Sequence, residues 1–113
     1  MRSGWLLRDG DVVCALEMTD SRAELRTALR GRNGCEGALH IVGTRSVLTA
    51  RMKFPIDVAF LSSDLTVLRV TRLKPWRVAL GGPNARSVVE AESGSLERWG
   101  VRVGDKLEVR QAD

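Results

Sequence analysis

The sequence predicts a mainly β, α+β protein: a compact antiparallel β-barrel or sandwich formed by a single domain, residues 1–113. Short apolar runs, bounded by Gly, Pro, Asn or Asp, recur at close spacing along most of the chain, as strands do. One long segment instead has the helical period, with signals for both its start and its end. A chain of 113 residues is also the size of one domain with a hydrophobic core.

The apolar runs give the predicted strands. The first is expected at 11–18, where the residues DVVCALEM are short and rich in Val. Beyond Gly37 the predicted strands are, in chain order, 38–42, 46–51, 57–62, 66–71, 85–92 and 106–110. Ser63 and Asp64 predict a tight hairpin turn between the strands at 57–62 and 66–71, because Asp bonds its own backbone in such turns.

A capped helix is predicted near the N-terminus, at about residues 20–31. Ser21 and Glu24 have the spacing of a capping box, in which each side chain bonds a free backbone amide of the first turn. The apolar residues that follow share one helical face: Leu25, Ala28 and Leu29. Glycines from Gly31 onward end the helix. A short helical turn is predicted near 95–99, where two apolar residues stand three apart.

The net charge of +4 raises the question of a nucleic-acid partner. The basic residues are mostly Arg and are dispersed along the chain, as expected of a protein from a GC-rich genome. Aromatic residues make up only 4% of the chain and do not alternate with the basic ones, as a single-strand binder would require. We therefore expect no nucleic-acid partner.

Metal, cofactor and membrane sites are not expected either. Cys14 and Cys35 lie far apart and the chain has one His, whereas a structural zinc site needs about four N or S ligands. Whether the two thiols form a disulfide stays an open question. No apolar run approaches the ~18 residues of a membrane-spanning helix, and the opening apolar patch is too short for a signal peptide. The chain as given is expected to be cytoplasmic.

Asp57 is the most unusual residue, because it lies within the apolar run FPIDVAFL. Burial of an unpaired carboxylate costs several kcal/mol, so Asp57 must be paired, hydrogen-bonded to amides or exposed. One hypothesis makes it a ligand-facing carboxylate with charge partners among Arg45, Arg51 and Lys53. The other makes it a structural residue that holds the loop 51–56 against the sheet.

Three further side chains are candidates for either function or structure. Trp76 is expected to be a stacking platform beside a groove or a core residue that closes the end of a barrel. His40 stands alone between Leu39 and Ile41 and is expected to be structural or exposed. Asp105, after the permissive Gly104, is expected to bond backbone amides in a turn.

Three motifs, PIDVAF, KPW and GVRVGD, occur in that order, and together they resemble the domain-of-unknown-function family 192, the uncharacterised protein family UPF0127. The resemblance covers about residues 12–110 and suggests an actinobacterial-like, bacterial member. It implies a small, mostly antiparallel β fold with a helix packed against it and supplies no established activity. Many relatives carry a signal or lipoprotein peptide. The family's FWMKNT segment is VLTARM here, which weakens any catalytic interpretation.

The function predicted from these observations is binding without catalysis. With a single His, no nucleophile–His pair has a sequence signature, so no catalytic residue is expected. The predicted site for a small polar ligand comprises Arg51, Lys53, Asp57 and Trp76. The alternative is a protein-interaction accessory of an envelope or secretion-related assembly, with a protein as the partner. An enzyme is the less expected outcome.

Overall fold

The computed structural model describes residues 2–19, 37–50 and 52–112. The described residues form nine strands and one short helix, in this order: β1 (Arg2–Arg8), β2 (Asp11–Thr19), β3 (Ala38–Val42), β4 (Ser46–Leu48), β5 (Ile56–Leu61), β6 (Val67–Leu73), β7 (Val78–Leu80), β8 (Ser87–Glu92), α1 (Ser95–Arg98) and β9 (Leu107–Gln111). The mainly β class is confirmed, and so is the helical turn near 95–99. The helix predicted at 20–31 lies outside the described residues.

Seven of the strands form one sheet in the order β6-β5-β8-β3-β2-β1-β9, and β4 pairs with β7 in a separate two-stranded ribbon. Every pairing is antiparallel except that of β2 with β3, which is parallel. The sheet is therefore mixed rather than wholly antiparallel as predicted. The long connection from Thr19 to Ala38 permits this, because a parallel pair needs a crossover of about a dozen residues or more.

The large sheet curls until its two edge strands meet at one end. There, Thr66 and Lys106 form an isolated bridge, and the amide of Val67 donates to the carbonyl of Asp105 at 2.8 Å. Along the rest of their length, no ladder joins β6 to β9 in the part of the chain that the structure describes. The predicted barrel is thus not closed, and one side of the curl is left for other residues to fill.

Two hydrophobic clusters lie on opposite faces of the sheet. The inner cluster receives side chains from all seven strands and from residues at and after α1; its buried members are Leu6, Leu16, Met18, Ala38, Ala59, Leu61, Val67, Val89, Ala91, Leu96, Val101 and Leu107. The outer cluster is covered by the ribbon; its members are Leu39, Ile41, Val47, Ile56, Val58, Phe60, Leu73, Ala79, Ala85 and Val88. Complete burial of each large aliphatic side chain stabilises the fold by about 1.5–3 kcal/mol.

The plug segment, residues 93–101, fills the open side of the inner face. Its helix α1 is only four residues long. Leu96 is 1% exposed and Val101 is 5% exposed, and both belong to the inner cluster. The amide of Val101 donates to the carbonyl of Leu96 at 2.9 Å, which turns the chain back after the helix. The plug segment therefore shields the inner cluster from solvent.

Candidate functional site

Asp57 lies on the inner face of β5 and is 4% exposed. Its Oδ2 accepts hydrogen bonds from the backbone amides of Gly94, at 2.9 Å, and Leu96, at 3.1 Å. Its Oδ1 accepts one from the Nε of Arg72 at 3.2 Å. Three donors thus satisfy the buried carboxylate, as burial of a charge requires.

These bonds fasten the plug segment to β5. Gly94 has a φ of 90°, a backbone conformation that an L side chain rarely adopts, and this turn directs its amide to Asp57. The carboxylate accepts amides from a neighbouring loop, as expected. However, the amides come from Gly94 and Leu96 rather than from the loop 51–56, of which the structure describes residues 52–56, in the connection from β4 to β5 and at the start of β5.

Arg72 is the charge partner of Asp57, and the sequence hypothesis named other residues for that role. The two residues stand opposite each other in the β5–β6 ladder, so their side chains share the inner face. The Arg72 side chain is 54% exposed and reaches from the rim of the sheet. Its Nε donates to Asp57, and its two terminal amino groups make no hydrogen bond among the described residues.

A cleft of about 390 Å³ opens between β6 and the plug segment. It is lined by Asp57, Val70, Thr71, Arg72, Leu96, Glu97, Gly100, Val101 and Arg102. Two guanidinium groups and one exposed carboxylate therefore surround a wall of aliphatic side chains. Arg98 lies nearby, because a Cβ placed on Gly94 would be 3.0 Å from its Nη1 and 3.8 Å from Nη2 of Arg72.

Of the other predicted site residues, none is shown to line this cleft. Arg51 lies outside the described residues. Lys53 is exposed in the connection from β4 to β5. Trp76 follows β6 with a φ of 60° and is 63% exposed, so it is not a core residue that closes a barrel. A role for Lys53 and Trp76 in ligand binding stays a prediction.

His40 is buried on the inner face of β3, where it is 6% exposed. Its register partners on the neighbouring strands are Met18 and Val89. Within the described residues its Nε2 has no hydrogen-bond partner. Burial, and to a lesser extent the positive charge of Arg2, lower the pKa of His40 below its usual value. His40 is therefore neutral at pH 7 and belongs to the core.

Asp105 has the predicted turn role. Its Oδ2 accepts a hydrogen bond from the backbone amide of Arg102 at 2.9 Å, and Gly104 has a φ of 94°. Arg8 adds a contact that the sequence did not indicate, since its guanidinium lies 3.4 Å from the same carboxylate oxygen. Arg8 also donates to the carbonyls of Trp99 and Gly100, at 3.0 and 2.6 Å, which holds the end of the plug segment against β1.

Over the ranges 2–19, 37–50 and 52–112, no three His, Cys, Asp or Glu side chains are grouped closely enough to hold a metal ion. The same ranges contain no helix with the length and apolarity needed to cross a membrane. The cleft beside Asp57, with Arg72 fixed at its edge, is the candidate site.

Solved structures share the fold at low sequence identity. One is a protein from Sinorhizobium meliloti 1021, described provisionally as a transcription regulator; it has a TM-score of 0.76 and 21% identity, over 96% of this chain and 92% of that one. Another is a protein of unknown function from Novosphingobium aromaticivorans DSM 12444, with a TM-score of 0.74 and 18% identity, over 96% and 84% of the two chains. At these identities the similarity shows the fold alone.

Curated relatives are archaeal UPF0127 proteins. One from Pyrococcus furiosus is 44% identical over 57 residues, which are 50% of this chain and 49% of the relative. One from Pyrococcus abyssi is 45% identical over 53 residues, 47% and 45% of the two chains. The matched stretch thus spans about half the length of these relatives. Because these relatives are archaeal, an actinobacterial origin stays a prediction.

A family model matches residues 6–109, nearly the whole described fold. It therefore includes the Asp57 strand, the KPW stretch, the plug segment and the Asp105 turn. The chain belongs to the family described as Uncharacterized ACR, COG1430, which is domain-of-unknown-function family 192.

Proposed function

We propose that this protein is a non-catalytic binding module whose cleft beside Asp57 holds a small anionic ligand of the carboxylate or phosphate class. The observation that carries the proposal is the state of Arg72. Asp57 fixes its guanidinium through Nε, so the terminal amino groups are held at the cleft with their donors available. A planar guanidinium fixed in this way suits bidentate recognition of an anion.

The surrounding charges support an anion rather than a cation. The carboxylate of Asp57 already accepts hydrogen bonds from three donors, so it is poorly placed to bind a cation as well. Arg98 and Arg102 bring two further guanidinium groups to the plug segment, against the single carboxylate of Glu97. Arginines that converge in this manner repel one another, and a bound anion relieves the repulsion.

The size and shape of the cleft fit a small ligand. Its volume of about 390 Å³ lies at the lower end of the range for small-molecule sites. Val70, Leu96 and Val101 give it an apolar wall, and the arginines lie at its polar side. A ligand with a short carbon skeleton and one anionic group would use both surfaces.

A thermal-shift series with inorganic phosphate, acetate and citrate tests this function. We expect an anion to raise the melting temperature of the wild type, since a ligand at 100 times its Kd adds about 2.7 kcal/mol to the free energy of unfolding. Arg102→Gln should abolish the shift, because its exposed side chain lines the cleft. Arg110→Gln, an exposed arginine paired with Glu108 on β9, is the matched control and should keep it.

Two outcomes contradict the proposal. One is that none of the three anions shifts the melting temperature more than sodium chloride at equal ionic strength. The other is that Arg102→Gln and Arg110→Gln reduce the shift equally, which would indicate general screening of a basic protein.

A second candidate function is protein interaction, in the form of an accessory to an envelope or secretion-related assembly. Its support is the ribbon, where Leu48, Val78 and Leu80 are exposed to solvent. Exposed apolar side chains grouped on one surface are typical of interaction sites.

A further inference from the structure

Both faces of the β4–β7 ribbon carry apolar side chains. Val47 and Ala79 point to the outer cluster and are 4% and 5% exposed. On the opposite face, which we call the ribbon patch, the exposed fractions are 50% for Leu48, 61% for Val78 and 64% for Leu80. Leu48 and Val78 are register partners, so their side chains lie side by side. A solvent-facing ribbon normally places polar residues there.

The surroundings of the ribbon patch are basic. The described residues of 37–56 and 65–89 include seven Arg and Lys residues and no Asp or Glu. Arg72 is on the inner face beside Asp57, and the other six are Arg45, Lys53, Arg69, Lys74, Arg77 and Arg86. Arg69 donates to the carbonyl of Leu80 at 2.6 Å, which fixes its guanidinium at one edge of the patch. The region therefore combines exposed aliphatic side chains with charges of a single sign.

A hollow of about 340 Å³ lies at one end of the ribbon patch, lined by Gly43, Arg45, Ala85 and Arg86. It adjoins the ribbon because the amide of Gly81, next to Leu80, donates to the carbonyl of Arg45 at 2.8 Å. Arg45 and Arg86 both donate to the carbonyl of Pro83, at 3.5 and 2.7 Å. Two guanidinium groups are thus held at the hollow, a short distance from the apolar side chains.

The geometry points to the ribbon patch as the docking surface for an acidic protein segment that carries apolar side chains, an interaction distinct from the anion cleft. Apolar side chains of the partner cover Leu48, Val78 and Leu80, and its carboxylates pair with the arginines at the hollow and at Arg69. The basic residues with fixed positions are arginines, which are enriched at protein interfaces where lysines are depleted.

Two features of the ribbon decide the mode of docking. The backbone of Ser46 at the outer edge of β4 is engaged by Thr44, whose hydroxyl donates to the Ser46 carbonyl at 3.0 Å and accepts from its amide at 3.4 Å. The Leu80 carbonyl on β7 is engaged by Arg69. Both edges are therefore partly occupied against strand addition, and the partner binds through side chains on the patch. If a second copy of the chain bound there, the basic residues around the two ribbon patches would face each other, and their electrostatic repulsion opposes such a dimer.

Selection of random twelve-residue peptides displayed on phage, with the wild type as the bait, tests the proposal. The double variant Val78→Ser/Leu80→Ser serves for counter-selection, and Val103→Ser, which changes a 63%-exposed valine on the turn before β9, is its matched control. We expect the enriched peptides to combine Asp or Glu with Leu, Ile or Phe. Their affinity should fall at least tenfold in the double variant and in Arg45→Gln/Arg86→Gln, and it should be unchanged in Val103→Ser.

Four outcomes would overturn the proposal. In the first, the enriched peptides lack acidic residues; in the second, they bind the double variant as well as the wild type. In the third, vesicles of anionic phosphatidylglycerol bind the wild type through Val78 and Leu80 while no peptide does, which would make the patch a membrane-binding surface. Sedimentation equilibrium of the wild type covers the remaining case, since a dimer lost in the double variant would show that the patch binds a second copy.

Discussion

Proteins usually bury apolar side chains and expose charged ones. The cleft beside Asp57 and the ribbon patch each do the opposite. At the cleft, a carboxylate is buried on the inner face and three donors satisfy it. At the ribbon patch, aliphatic side chains face water while the charges stand around them. The comparison distinguishes stability from binding. We expect the buried carboxylate to stabilise the fold, whereas the exposed aliphatic side chains should add little to stability and, in our proposal, bind a partner.

The largest expected effect is that of Asp57→Ala. The change leaves the buried amide of Leu96 and the half-buried amide of Gly94 without their acceptor, and a buried, unsatisfied amide costs about 1–3 kcal/mol. We expect the free energy of unfolding to fall by about 3 kcal/mol in urea denaturation. Asp64→Ala removes the same charge from an exposed hairpin and should cost much less. Equal losses in the two variants would show that Asp57 has no special structural role.

Gly81→Ala should have the next largest effect, because Gly81 lies where the ribbon meets the outer cluster. A Cβ at this position would be 2.7 Å from Cγ of Phe60 and 2.8 Å from Cβ of Ala85, so the fully buried ring would have to move. Overpacking of this kind costs about 1–3 kcal/mol, measured as a lower urea midpoint. Asn84→Ala, in the same loop but exposed, is the control. If Gly81→Ala melts like the control, the ribbon is not packed tightly on the sheet.

His40 should give a smaller effect that depends on pH. Its pKa is lower in the folded protein than the unperturbed value of about 6.5, so the unfolded chain binds the proton more readily. The stability that this group contributes is present above pH ~6.5 and is lost as the pH falls towards the folded pKa. His40→Gln should therefore reduce the drop in the urea midpoint between pH 7.5 and pH 5.5. An unchanged drop would exclude His40 as its source.

The smallest expected effect is that of Val78→Ser/Leu80→Ser on stability. Both side chains are more than half exposed, so their replacement should change the free energy of unfolding by no more than about 0.5 kcal/mol. Calorimetry of the variant measures this directly. A loss of several degrees in Tm would mean that the patch is packed within the fold and is not a free surface.

Local sequence signals predicted where the turns and most strands lie. The strand at 38–42 has the predicted limits, and the Asp105 turn has the predicted bonds. At the β5–β6 hairpin, Asp64 accepts a hydrogen bond from the amide of Thr66 at 3.3 Å, which is the backbone bond expected of a turn Asp. These features depend on residues close in sequence, so their chemistry is visible without the fold.

The partners of Asp57 could not be predicted because they depend on register and long-range packing. A two-residue turn at Ser63 and Asp64 would have placed Asp57 opposite Val70. The longer turn and a bulge between Phe60 and Leu61 shift the register, so Arg72 stands opposite Asp57 instead. The two amides come from residues 37 and 39 positions away in the chain.

Two strands were missed for different reasons. Strand β1 has the pattern RSGWLLR, in which a glycine and polar residues interrupt the apolar run. Gly4 is needed there because a Cβ would meet the backbone of β9, a contact that only the folded sheet reveals. Strand β7 has only three residues and follows Pro75 and Trp76, so its local signal is weak.

Amide hydrogen exchange tests most directly whether Asp57 holds the plug segment on the sheet. The comparison is the Leu96 amide against the Val89 amide in β8, in the wild type and in Asp57→Ala. We expect both amides of the wild type to exchange through global unfolding, at similar levels of protection. In the variant, the Leu96 amide should exchange at least tenfold faster than that of Val89, because the plug segment then opens locally. If the two amides keep the same relative protection in the variant, Asp57 does not hold the plug segment and the account is wrong.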